Sequence, residues 1–339
     1  MKPFAFVLAL FLFLSSGCAG EPDDVDTACV TIAWPASLPV YDHVVIVVEE
    51  NKDYSLIIGA DEVAPYINGT LRAEGANFTR AYGEEHHSQG NYFWLFSGSN
   101  HGVGFNDEEV WLAPNYPFTS SNLGEQLIDK GHSFKGYAQS LPVIGDTVWT
   151  VGPGPTYGRK HVPWISFTNV PNGTTVETSS NLRFQDFPAD SSGFNDLPTV
   201  AFVIPDLDHD MHNGDPPQSI TTGDTWLKDN IDAYYQWAKD NNSLLIFTFD
   251  ENSDVEVDTG LTNPASADTS LKNQIATIFA GDHIKPGGYT EGNGITHVNI
   301  LRTLEAMYGL CKSGAQQPFA AQVGITDDYI ITDVFDTSR

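Results

Sequence analysis

The segment DHVVIVVEEN, Asp42 to Asn51, constrains the fold more than any other. Val44 to Val48 is an unbroken run of β-branched side chains. Such side chains favour extended backbone. A run with no polar alternation fits a strand covered on both faces, as in parallel sheets. The run stops abruptly at Glu49, Glu50 and Asn51. The same arrangement recurs twice. Val200 to Ile204 leads into Asp206, Asp208, His209, Asp210 and His212, and Leu244 to Phe249 leads into Asp250 and Glu251. A fourth strand is expected around Ile275 to Ala280.

Helical patterns lie between these strands. Trp226, Leu227, Ile231, Tyr234, Tyr235 and Ala238 recur near a period of 3.6, with Thr222 or Asp224 as the expected N-cap. Val298, Leu301, Leu304 and Met307 share one face of a later helix. Asn122 to Lys130 reads as a shorter helix closed by Gly131. Strand, acidic turn, helix and strand together predict an α/β fold, a doubly wound and mostly parallel sheet flanked by helices. Ligands of such sheets bind beyond the carboxyl ends of the strands. One acid after one strand is an ordinary turn or cap. Acids after three long apolar strands point to a site.

The N-terminus reads as an export signal. Lys2 precedes the uncharged apolar run Phe4 to Leu14, and SSGCAG follows. The run is shorter than the ~20 residues needed to span a bilayer. Ser16-Gly17-Cys18 resembles a lipoprotein cleavage site that would put lipid on Cys18, and ordinary signal cleavage a residue or two later is the alternative. Residues 1–20 are thus expected to be targeting sequence and 21–38 an acidic tether. Residues 39–339 are expected to form a single domain with an irregular, Pro- and Gly-rich excursion at about 140–195. The expected location is secreted or in the outer cell envelope. In such an oxidising compartment the two remaining cysteines, Cys29 and Cys311, are candidates for a disulfide. The formal charge is −28, from 44 acidic and 16 basic residues, which argues against nucleic acid as a partner.

The stretch RAYGEEHHSQGNYFWLFSGSNHGVGFND gathers His86, His87, Ser88, Asn91, His101 and Asn106. Ser88 alone reads as a helix cap. Beside the strand-end acids it gains another meaning. Carboxylate, amide and hydroxyl oxygens are hard ligands for a divalent cation. A cation there would activate the Ser88 hydroxyl, and backbone N–H groups at the start of the following helix would favour an anion.

Five blocks, in order, carry a family resemblance: VVIVVEENKDYSLIIG, HHSQGNYFWLFSGS, PDLDHDMHNG, FTFDEN and THVNILRTLEAMYGL. The chain resembles the secreted phosphoesterases of the acid phosphatase and phospholipase C type, within the alkaline phosphatase superfamily. The resemblance implies that Glu50, Asn51, Ser88, Asp250, Glu251 and Asp210 serve as metal ligands and that Ser88 is the nucleophile. It implies catalytic roles for His212 and His297, at positions where two-metal relatives hold a second ion. Asn91, Asn106, His87 and His209 would contact substrate. His87 and Gly90 stand where the family's proline residues are usual. The implied activity is that of an exported metal-dependent phosphoric ester hydrolase, acting on small phosphomonoesters through a seryl-phosphate. A phosphodiesterase or phospholipase C, with Trp149, Trp164 and Phe167 as apolar contacts, is the alternative. So is a catalytically silent envelope lipoprotein that binds a ligand. The cation could be Ca, Mg, Mn, Zn or Fe.

Overall fold

The Val44–Val48 run lies in the strand His43–Glu49, which pairs in parallel with Val200–Ile204 on one side and Ser243–Phe249 on the other. Val44 to Val47 are fully buried, and each such aliphatic side chain contributes about 1.5–3 kcal/mol by leaving water. This computed structural model describes residues 29–103, 109–152, 154, 156–253, 261–289 and 293–337. The expected export segment, Cys18, residues 21–28 of the acidic tether and Asn106 lie outside the described residues.

The central sheet has eight strands. Their order is Gly287–Tyr289, Ala76–Phe78, Thr277–Gly281, Ser243–Phe249, His43–Glu49, Val200–Ile204, Phe134–Ala138 and Asn181–Arg183. Five neighbouring strands, from Ser243–Phe249 to Asn181–Arg183, are parallel. Thr277–Gly281 runs antiparallel to both of its neighbours. The expected Ile275–Ala280 strand is therefore two elements. Gln274–Ile275 joins a separate small sheet and Thr277–Gly281 enters the main one.

Helices cover the sheet. Gln218–Ala238 begins four residues before the expected Thr222 cap. Asp224 is unavailable as that cap, because its carboxylate accepts from the backbone of Tyr66 at 3.0 Å and Ile67 at 2.8 Å. Leu123–Asp129 is capped by Asn122, whose side chain accepts from Glu125 N. His297–Met307 starts with a reciprocal Thr296–Asn299 capping box. No helix among the described residues is long and apolar enough to cross a membrane.

The excursion forms short 3-10 turns, among them Arg159–His161, whose His161 reaches the strand-end acids Glu50 and Asp210, and Pro163–Ser166. It belongs to the core more than expected. Trp164 and Phe167 are buried, and Gly136 has no β-carbon because the Trp164 ring would lie 2.1 Å from one. Those two side chains are therefore packing residues. Trp149 is half-buried, with Trp111 edge-on and the Arg159 guanidinium over its ring.

Cys29 and Cys311 form a disulfide across 282 residues of sequence. Cross-linking so distant a pair restricts the unfolded chain. Cys311→Ala is expected to lower the unfolding free energy by about 2–5 kcal/mol. Chemical denaturation checks this, and an unchanged midpoint would show that the bond adds no stability.

Candidate active site

Parallel register sets the first part of the site. Glu49 pairs with Phe249, so Glu50 and Asp250 leave the sheet side by side. Asp250 N donates to Glu49 O at 3.0 Å, and Glu50 N donates to Asp210 O at 2.8 Å. Three acid-bearing turns are thus fastened together through main chain. Two of them use residues other than glycine in the left-handed region, Asn51 at φ 49° and Met211 at φ 75°. Such backbone concentrates at functional sites.

Ser88 arrives from the opposite side as the first residue of the helix Ser88–Ser97. All ten residues of that helix are buried, and Gly98 closes it in the left-handed conformation. Ser88 Oγ lies 3.1 Å from Glu50 Oε2, 3.3 Å from Glu251 Oε1 and 3.5 Å from Asn51 Oδ1. The outer end of the Asn51 amide is 3.2 Å from both Asp250 carboxylate oxygens and 3.3 Å from Glu251 Oε1. With its NH2 turned there, Asn51 donates to them. With its carbonyl turned there, it completes an all-oxygen set of five side chains, the donor chemistry of a hard divalent cation.

The electrostatics favour a cation as well. Burial, with Asp250 and Asp210 nearby, raises Glu50 well above the usual carboxylate range. Burial and the Glu251 charge raise Asp250 to about 7. Burial raises Asp210 in the same direction, and Asp250 adds to it. Lys160 acts favourably on Glu50, and Lys52 on Asp210. His86 Nδ1 contacts Glu251 Oε2 at 2.5 Å.

Two side chains not foreseen from sequence complete the pocket. The Tyr92 hydroxyl donates to Glu50 Oε1. His161, from the excursion, stacks on the Tyr92 ring at 5.0 Å and reaches Glu50 Oε1 at 3.3 Å and Asp210 Oδ2 at 3.7 Å. Glu50, His161 and Asp210 offer ligand atoms within 4.8 Å of one another, so this buried group could also hold a metal. Burial depresses His161 well below the usual histidine range. That direction favours the neutral imidazole, the form that ligates or accepts a proton.

The remaining sequence candidates are distributed differently. Asp206 binds Ser140 Oγ and His209 Nδ1, both at 2.6 Å. Of the acids in that turn it is the fully buried Asp210 that faces Glu50 and His161. His209, expected to contact substrate, turns instead toward Trp226 and lines a flanking groove of about 380 Å³. Asn91 was also expected to face substrate. Its amide instead accepts from Glu84 N at 2.9 Å and Glu85 N at 3.1 Å and donates to Glu85 O at 2.6 Å. That use of both ends of the amide fixes the loop before Ser88. His87 is the half-buried N-cap residue immediately before Ser88. Gly90 has a steric reason to replace the usual proline, because a β-carbon there would lie 1.8 Å from Glu85 Oε1. His212 is half-buried, its ring centroid 6.5 Å from that of His161. His297 Nε2 donates to Phe249 O at 2.8 Å. His297 thus supports the strand end that carries Asp250, and burial lowers its pKa to about 4.

Known proteins resemble this chain in sequence and in fold. The model of the Phosphoesterase family matches residues 61–311. The chain is 43% identical over 279 residues to a phosphatidylinositol-3-phosphatase of Mycobacterium tuberculosis, covering 82% of this chain and 81% of that one. A probable acid phosphatase of Kluyveromyces lactis is 26% identical over 278 residues, or 78% of this chain and 58% of the relative's length. Among solved structures, an alkaline phosphatase superfamily protein from Vibrio parahaemolyticus superposes with a TM-score of 0.55 at 12% identity, covering 88% of this chain and 74% of that one. The lipoteichoic acid synthase LtaP from Listeria monocytogenes superposes with a TM-score of 0.52 at 14% identity, covering 88% and 79%. These two establish the alkaline-phosphatase-like fold. With the family match spanning most of its length, the chain belongs to the Phosphoesterase family and is a phosphoric ester hydrolase.

Proposed function

We propose that the protein is an exported, metal-dependent phosphomonoesterase that works through a phosphoryl group carried on Ser88. The observation that carries this reading is the convergence of Ser88 Oγ on Glu50, Asn51 and Glu251 at 3.1–3.5 Å. Glu50, Asn51, Ser88, Asp250 and Glu251 would hold the cation. The oxygen donors suit Ca, Mg or Mn, and the flanking histidines admit Zn or Fe. Bound there, a divalent ion lowers the pKa of a hydroxyl and draws charge from a phosphoryl oxygen.

The chain's own groups account for the rest. Glu50 and Glu251 lie close enough to Ser88 Oγ to take its proton as the oxygen attacks phosphorus. The new Oγ–P bond forms as the bond to the leaving alkoxide breaks. N–H groups at the start of the Ser88–Ser97 helix face the phosphoryl oxygens, and His87 borders them. His212, on the more open side next to His161, gives its proton to the leaving alkoxide. Water then cleaves the seryl ester. His297 holds the Asp250 strand end.

Monoester preference is supported by the names of the two relatives, a phosphatidylinositol-3-phosphatase and a probable acid phosphatase. Export is supported by the disulfide, since such bonds persist in oxidising compartments. Lipid attachment at Cys18 remains part of the proposal, with ordinary signal cleavage as its alternative. The expected result is turnover of para-nitrophenyl phosphate well above that of its bis ester, lost with chelator and restored by a divalent ion. Faster cleavage of the bis ester would favour a phosphodiesterase. No turnover of either ester, with metals resupplied across pH, would leave a silent ligand-binding protein. Phosphatidylinositol 3-phosphate is the first natural ester to assay, because the 43% identical relative is named for it.

A further inference from the structure

Lys52 follows two proposed metal ligands in sequence, yet it is a buried ammonium with no ligand chemistry of its own. Its Nζ donates to Met211 O at 2.7 Å and to Asn51 O at 3.1 Å. We propose that Lys52 is a positioning residue for the metal centre, a clamp that sets the turns carrying Asn51 and Asp210 against each other. The inference rests on the reading of the Ser88 cluster as a metal site.

Three observations converge on it. Both carbonyls that receive the ammonium belong to residues in the left-handed region, at φ 49° and φ 75°. Residues with a β-carbon adopt that backbone at a steric cost, so their surroundings must hold them there. The Asp210 turn is also pressed from its far side. A β-carbon on Gly223 of the long helix would lie 2.5 Å from Met211 Cγ and 2.9 Å from His209 O. The turn is thus gripped between helix and ammonium, and Glu50 N holds Asp210 O at 2.8 Å between them.

The third observation is charge. Glu49, Glu50, Asp210 and Asp250 all act on Lys52. Both Glu49 carboxylate oxygens are buried without a hydrogen-bond partner among the described residues. Buried carboxylates are costly unless a positive charge lies near them. The Lys52 ammonium acts favourably on Glu49, and Lys160 on Glu50. Nucleophilic or general-base chemistry does not suit Lys52, because two of its three N–H groups are committed to carbonyls. Its effect reaches the reaction only through the placement of Asn51 and Asp210.

The test is calorimetric titration of Mn²⁺, and separately Ca²⁺, into chelator-stripped protein. Lys52→Met keeps the length and removes the charge. Lys52→Gln removes the charge but keeps an NH2 donor group, and guards against loss of folding. Both are expected to weaken cation binding by about 10-fold or more, as loss of groups that orient ligands does. Saturating metal should then restore most of kcat for para-nitrophenyl phosphate. Lys135→Met is the control, since Lys135 also donates to two carbonyls, Val176 O and Ser179 O, in the excursion. It should lower thermal stability and leave cation affinity unchanged. The clamp is overturned if Lys52→Met and Lys52→Gln bind cations within about twofold of wild type, or if Lys135→Met weakens binding equally. If the wild-type protein itself binds neither cation, the metal reading fails first and the clamp falls with it.

Discussion

Ser88→Ala is expected to reduce kcat for a phosphomonoester by about 10⁴-fold or more, while the protein keeps its fold and its cation. Loss of a catalytic nucleophile has effects of that order. Retention of the cation follows from the donor count, because Glu50, Asn51, Asp250 and Glu251 remain when the weakest ligand goes. The hydroxyl is small and buried, and alanine leaves little space behind. The change should therefore appear in turnover and hardly in the denaturation midpoint. A phosphate label on wild-type protein, trapped by rapid acid quench and missing from the variant, would separate this route from direct attack by water. A variant that retained a tenth of wild-type kcat would remove Ser88 from the chemistry.

The second large effect concerns protons. In the metal-free protein Asp250 titrates near 7, and Glu50 and Asp210 are raised as well. These groups hold protons that the unfolded chain would already have lost. A divalent ion must expel them, so its apparent affinity should climb about tenfold per pH unit for each proton released. Calorimetry in buffers of different ionisation enthalpy counts those protons directly. The same shifts fix the sign of the stability change. A carboxyl raised in the folded state stabilises the fold below its unfolded pKa, and that contribution is lost as pH rises through the folded value. His297 acts oppositely, its depressed pKa costing stability as pH falls from about 6.5 toward about 4. Between pH 6.5 and 8.5 the acids dominate. The chelated protein should therefore melt at lower temperature as pH rises, and added cation should abolish the trend. A melting temperature that stays level or increases across that interval in the chelated protein would refute the charge-crowded centre.

What could be read in advance divides along physical lines. Glu50, Asn51, Asp250 and Glu251 were legible because an apolar strand that ends in acids is contiguous in sequence, and parallel pairing then puts the ends together. The fold class followed from the same runs. Asp210 could be chosen over Asp206 and Asp208 only through the family resemblance, because spacing does not say which acid a turn points inward. His161 left no signal, since a 3-10 turn inside an irregular segment has no periodicity to extend. Tyr92 was masked by its neighbours, because a phenol within a wholly buried aromatic helix looks like packing. The misplaced start of the Gln218–Ala238 helix has a tertiary cause, the use of Asp224 by the Tyr66 and Ile67 backbone.

The complete enclosure of the Ser88–Ser97 helix bears on how such a protein can change. An element with no exposed residue tolerates little substitution without disturbing its surroundings. New ester preferences are therefore expected in the winding segment that delivers His161, whose outer turns are exposed while its inner residues are buried. Diversity introduced at exposed positions of residues 140–195 should yield altered selectivity with hydrolysis intact, and diversity inside the helix should mostly yield inactive protein.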